Sequence, residues 1–166
     1  MPEYRGTAAA TGRRFAVVVS RFNHEVTDRL LAGARACLIE HGARADDVDI
    51  FSVPGAFELP VTALHAARAG YAAVIALGCV IRGDTPHFEY VAGGAAQGLA
   101  QVSIETGVPV VLGVLTTDDL KQALDRAGGK SGNKGWEAAQ TALEMADLVA
   151  RMQNGDGERD RHRAST

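Results

Sequence analysis

Ala72-Ala-Val-Ile-Ala-Leu-Gly-Cys79 runs straight into Val80-Ile-Arg-Gly-Asp-Thr-Pro-His87, and this stretch decides the fold. Its first half is an unbroken apolar run, the pattern of a strand covered on both faces. Its second half turns polar, and Thr85-Pro86 supplies a cap and a first helical position. A helix should therefore run from there to Gly107, with Pro109 just beyond it. A buried strand that leads at once into a helix is one half of a parallel crossover unit.

The same pattern extends in both directions. Arg14-Phe-Ala-Val-Val-Val-Ser20, Val48-Asp-Ile-Phe-Ser-Val53 and Pro109-Val-Val-Leu-Gly-Val-Leu-Thr116 also read as strands. Asn23 can cap a helix that carries Val26, Leu30, Ala34 and Leu38 on one face and stops before Gly42. A second helix begins near Glu58 to Pro60 and ends at Gly70. Thr116 or Thr117 can cap a short fourth helix, and Asn133 or its neighbours start a long last one with Ala139, Leu143, Ala146 and Val149 aligned. Since each right-handed crossover carries the chain back over the sheet, the prediction is a three-layer α/β/α domain with a four-stranded parallel sheet. The expected strand order is 2-1-3-4, flavodoxin-like. The domain covers residues 14–152 behind an arm at 1–13, and the polar segment 153–166 is expected to be mobile.

With 166 residues, 46% of them hydrophobic, the chain can bury roughly two-thirds of its unfolded surface in one core without staples. A formal charge of -3 provides no basic field for nucleic acid or an anionic membrane, while leaving room for a local phosphate site. Cys37 and Cys79 form no C-x-x-C pair and have no zinc-like spacing, which predicts reduced thiols and no metal. Residues 1–14 lack an apolar leader core, and no stretch approaches the roughly 18 apolar residues of a bilayer span, so the expected location is cytoplasmic.

Open parallel sheets bind ligands beyond the carboxyl ends of their strands, and the loops at those ends are unusual here. Phe22 follows the first strand and is either a flat wall for an aromatic ring or a plug over the sheet end. Pro54-Gly55-Ala56 lets backbone approach a ligand, and Glu58 beyond it either accepts from hydroxyls or sits as a first-turn carboxylate favoured by the helix dipole. Gly83-Asp84-Thr85 opens a helix N-terminus able to hold phosphate, with Asp84 turned away or neutralised by Arg82. His87, on the first turn, is placed to move protons. Arg126 to Gly135 is a basic, glycine-rich segment. Its Gly-Lys-Ser is no P-loop, because the first glycine of that motif would fall on Leu124 and the segment follows a helix. Arg82-Gly83-Asp84 is a chance adhesion-like tripeptide.

Ser20-Arg-Phe-Asn23, Val53-Pro-Gly-Ala-Phe-Glu58, Gly78 to Val91, Gly113-Val-Leu-Thr-Thr-Asp118 and Arg126 to Gly135 together resemble the motif set of the 6,7-dimethyl-8-ribityllumazine synthases, over about Arg14 to Met152. The resemblance implies condensation of 5-amino-6-(D-ribitylamino)uracil with 3,4-dihydroxy-2-butanone 4-phosphate, with release of phosphate and water, as the penultimate step of riboflavin synthesis. It implies that His87 is catalytic and that Phe22, Asn23, Ala56, Phe57, Glu58, Cys79, Val80, Ile81 and Leu112 bind the pyrimidine and its ribityl chain. It assigns the phosphate to Asp84, Thr85, Arg126 and Lys134, and implies no cofactor. Leu112 stands where many relatives have Phe, and Trp136 is bulky after Asn-Lys-Gly. The resemblance further implies a homo-pentamer with Leu112, Arg126 and Lys134 supplied by the adjacent copy. The uninterrupted Gly128 to Gly132 connection points to an icosahedral shell of about sixty subunits, with riboflavin synthase as a candidate companion. A flavin-carrying module and a catalytically dead shell protein are the rival readings.

Overall fold

The computed structural model describes residues 1–163, with side-chain surroundings through residue 155. Four strands, β1 (Phe15–Ser20), β2 (Val48–Val53), β3 (Ala73–Ile81) and β4 (Val110–Thr117), form one parallel sheet in the order β2-β1-β3-β4. The expected topology is therefore the observed one. Helices α1 (His24–Glu40), α2 (Leu59–Arg68), α3 (His87–Thr106), α4 (Leu120–Asp125) and α5 (Lys134–Arg163) lie between and after the strands.

The alternation along β1 explains the layers. Phe15, Val17 and Val19 point into a core shared with Val26, Leu30, Ala34 and Leu38 of α1 and Ala139, Ala142 and Leu143 of α5. Ala16 and Val18 point the other way, toward Leu59 and Ala63 of α2 and Ala95 and Leu99 of α3. Both faces are covered, so no polar alternation is needed, and each buried Leu or Val contributes about 1.5–3 kcal/mol. On α5, Gly135 lies so close to α1 that a Cβ would stand 1.9 Å from the Leu30 carbonyl oxygen.

The arm at residues 1–13 is docked on the domain. Asp147 of α5 accepts from the Thr7 backbone N–H at 2.8 Å and from Arg13 at 3.1 Å, and the Ala10 N–H donates to the His41 carbonyl at 3.0 Å. These bonds hold the Asp147 carboxyl below its usual range.

Several local expectations are corrected. Asn23 stands at the N-cap of α1, its carbonyl accepting from the Val26 and Thr27 N–H groups at 2.9 and 3.1 Å, but its side chain makes no cap bond; it sits in the left-handed region at φ 59°, and its side chain points elsewhere. α3 begins at His87, with Pro86 just outside it. The cap of α4 is Asp119, whose carboxylate accepts from the Gln122 N–H at 2.8 Å, and not Thr116 or Thr117. Within the glycine-rich segment, Ala127–Gly129 and Gly132–Asn133 pair as a small antiparallel hairpin, β5 and β6. Asn133 does start α5, its Oδ1 accepting from the N–H groups of Gly135 and Trp136 at 2.8 and 3.1 Å. α5 continues through Arg163; the expected mobile tail at 153–166 falls largely on residues whose side chains are not described, and 164–166 lie outside the described residues. No helix among the described residues is long and apolar enough to cross a membrane.

Cys37 and Cys79 are free and buried, and burial pushes both thiols up to about 11. The folded state then holds protons that the unfolded chain releases, so this contribution is complete below about pH 8.5 and is lost as the pH rises toward 11. Urea titrations across that window should show falling stability, and at pH 8 neither thiol should react with an aromatic disulfide until the chain unfolds. Rapid labelling of the native protein would contradict the burial.

Candidate active site

The parallel register sets the carboxyl ends of β1, β2 and β3 side by side, with Ser20 opposite Val53 and Val19 opposite Leu77. Beyond β1 the chain keeps to this path for two residues, the Arg21 N–H donating to the Val53 carbonyl at 2.8 Å and the Phe22 N–H to the Pro54 carbonyl at 3.0 Å. Phe22 is thereby set beside Pro54-Gly55. The turn at Asn23 carries the chain away into α1, and the Asn23 amide Nδ2 donates to the Cys79 carbonyl at 2.9 Å, tying the first loop to the end of β3.

A groove of about 710 Å³ opens at this end on the α2/α3 side of the sheet. It is lined by Phe22, Ala56, Phe57, Glu58, Cys79, Val80, Ile81, Thr85 and His87, nine of the residues singled out from the sequence. Glu58 closes a single helical turn, Ala56–Glu58, and folds back toward Gly55, where a Cβ would lie 3.4 Å from its Oε2. Phe57 rests on α3 at Gly94, where a Cβ would come within 2.8 Å of its ring. Cys79 packs its side chain in the α1/α5 core, so its share of the groove is backbone. His87 is exposed on the first residue of α3, and its N–H reaches Thr85 Oγ1 at 3.4 Å.

Five residues behave differently from the rest. Asn23 lies behind the groove, bonded to Cys79, and does not line it. Asp84 is exposed beside the groove without lining it, and Arg82 does not neutralise it. The Arg82 guanidinium instead pairs with Glu89 at 3.0 Å and Asp118 at 3.1 Å, which raise its already high pKa. Leu112, Arg126 and Lys134 line a second groove, of about 460 Å³, on β4 and the start of α5. The two grooves share no lining residue. In the second, Arg126 donates to the Gln122 carbonyl at 3.0 Å and Lys134 pairs with Glu137 at 3.0 Å.

Tyr90 was missed by the sequence reading, although its i,i+3 spacing from His87 puts it on the same helix face. Phe22, Phe57 and Tyr90 are 71%, 63% and 75% exposed, and three such rings around one concavity mark a binding surface rather than a core. Among the described residues lining the first groove, Glu58 is the one carboxylate and no lysine or arginine occurs. The groove offers stacking surface, hydrogen-bond acceptors, a proton-transfer group and a helix N-terminus, while the cations lie elsewhere on the chain. Among the described residues, no group of three or more His, Cys, Asp or Glu is placed to hold a metal ion.

A family model described as 6,7-dimethyl-8-ribityllumazine synthase matches residues 12–150, which takes in both grooves and the whole sheet.

Asn23 combines a left-handed backbone with a bond that spans two loops. Asn23→Ala should lower unfolding free energy by about 2 kcal/mol, one part from the backbone and one from the lost bond, whereas Asn23→Gly should lose about 1 kcal/mol. Denaturant midpoints check this, and equal losses for the two variants would remove the backbone contribution.

Proposed function

The chain belongs to the 6,7-dimethyl-8-ribityllumazine synthase family, transferases of riboflavin biosynthesis, and from that premise we propose that it joins 5-amino-6-(D-ribitylamino)uracil to 3,4-dihydroxy-2-butanone 4-phosphate in the strand-end groove. The observation that carries this reading is the convergence of Phe22, Glu58 and His87 from three separate loops on one concavity.

Phe22 supplies the flat wall on which the pyrimidine stacks, an arrangement worth more than its area alone. The ring edge meets the backbone of Cys79, Val80 and Ile81, and the ribityl hydroxyls reach the Glu58 carboxylate and the backbone of Ala56 and Phe57. Asn23 serves this substrate indirectly, through its bond to the Cys79 carbonyl. The phosphate of the ketone lies at the N-terminus of α3 on the amides of Asp84 and Thr85, where the orphan N–H groups and the helix dipole favour an anion.

That end of the groove needs a cation. The guanidinium next to it, Arg82, is already bonded to two carboxylates, Glu89 and Asp118. Arg126 and Lys134 meet the need from the second groove. Because the two grooves are separate on one chain, the complete site forms where the second groove of an adjacent copy, with Leu112, covers the first. A pentamer provides such interfaces in a closed ring. The shell of about sixty subunits, the association with riboflavin synthase and the cytoplasmic location remain part of this proposal on the strength of the family resemblance.

In the reaction the ring amine attacks the ketone and loses water to form an imine, elimination expels phosphate and leaves an enol, the enol tautomerises to a carbonyl, and the second nitrogen attacks that carbonyl and loses water to close the ring. Each step moves a proton, and His87, which lines the same groove as Phe22 and Thr85, relays it. Holding two substrates together supplies a large share of the rate.

Purified protein mixed with both substrates should give lumazine fluorescence, and a silent mixture would overturn the function. His87→Ala should lower kcat by about a hundredfold without abolishing turnover, and wild-type rates would remove His87 from its role. Oligomers reassembled from equal amounts of His87→Ala and Arg126→Ala chains should regain activity, because roughly a quarter of the interfaces then carry both intact halves. No recovery would place Arg126 outside the shared site.

A further inference from the structure

The segment Gly83–Pro86 is exposed throughout, and among the described residues its one side-chain bond is the long one from the His87 N–H to Thr85 Oγ1, 3.4 Å. A loop with so few bonds of its own gains order only through its ends. Both ends are gripped by a single side chain. Arg82, immediately before the loop, donates from Nε to Asp118 Oδ1 at 3.1 Å and from Nη1 to Glu89 Oε1 at 3.0 Å. Its guanidinium carbon stands 4.4 Å from the centre of the Phe88 ring. The Arg82 backbone N–H donates to the Thr117 carbonyl at 2.8 Å, one step past the last β3–β4 pair, Ile81 with Thr117.

Phe88 and Glu89 directly follow His87 in the first turn of α3, and Asp118 directly follows β4. One planar group thus joins the exit of β3, the exit of β4 and the start of α3, which are the supports on either side of the loop.

Resting on the reading of the groove given above, we propose that Arg82 is a positioning residue: its guanidinium holds the Gly83–Pro86 loop and His87 in register for the phosphorylated ketone without itself binding the phosphate. The side chains in both ion pairs are roughly half exposed or more, 48% for Arg82 against 60% for Glu89 and 69% for Asp118, so each pair adds little to global stability. What the arrangement supplies is geometry. A guanidinium presents donors in a rigid fork and a flat face to an aromatic ring at once, which a lysine ammonium does not.

Arg82→Met keeps an apolar stem over Phe88 and removes the fork. Without substrate, amide hydrogen exchange across Gly83–His87 should become about tenfold faster in this variant, with the core strands unchanged. In steady-state assays KM for the phosphorylated ketone should rise about tenfold while KM for the pyrimidine stays within about twofold, and Arg82→Lys should recover little of the loss. Asp118→Asn should shift the same parameter less, and should add nothing on top of Arg82→Met. Unchanged loop exchange overturns the inference, as does a joint rise of both KM values together with a fall in melting temperature. If the wild-type protein forms no lumazine, the proposed function fails, while the exchange measurement still decides the role of Arg82.

Discussion

Burial of β3 on both faces is the constraint from which the rest follows. From Ala73 to Val80 every residue is buried, with Ile75, Leu77 and Cys79 packed toward α1 and α5 and Val74, Ala76 and Val80 toward α2 and α3. Such a strand is satisfied only between two parallel neighbours, which it finds in β1 and β4. Once those ladders are set, the exits of β1, β2 and β3 lie at one end of the sheet, and Phe22, Glu58 and His87 meet there without any of them contributing to the core. Apolar packing within the sheet therefore determines where the candidate site forms.

Charge is distributed unevenly over this scaffold. The first groove holds the aromatic rings, the histidine and one carboxylate, while Arg126 and Lys134 sit on a different surface across β4. A helix N-terminus attracts an anion, but the two carboxylates bonded to Arg82, Glu89 and Asp118, weaken that attraction. Among the described residues lining that groove, no lysine or arginine offsets them. The exposed rings at Phe22, Phe57 and Tyr90 leave wide apolar surface uncovered on the single chain.

Two polar side chains act as fasteners between loops that packing alone would leave loose. Asn23 accepts a left-handed backbone and ties the end of β1 to the Cys79 carbonyl, and Arg82 ties the end of β3 to Asp118 and Glu89. Both bonds cross between strand exits, where backbone ladders have ended. At such a point a single directed hydrogen bond sets geometry that burial, which is non-directional, does not.

The amino-acid order alone was enough to determine the layers, the strand order 2-1-3-4, and most of the groove-lining residues, because apolar runs, glycine stops and proline starts are local signals that survive without knowledge of partners. It did not determine what Asn23, Thr117 or Arg82 bond to. Asn23 has the residue type and position of a helix cap, yet its partner is the Cys79 carbonyl, and Asp119 took the capping role expected of the threonines before it. Arg82 has Asp84 as its near neighbour in the chain and bonds instead to Glu89 and Asp118. The β5–β6 hairpin was likewise settled only by the folded chain. Those outcomes turn on which strand exits the parallel register places side by side. Ile81 opposite Thr117 is a relation between residues far apart in sequence, and no local pattern encodes it.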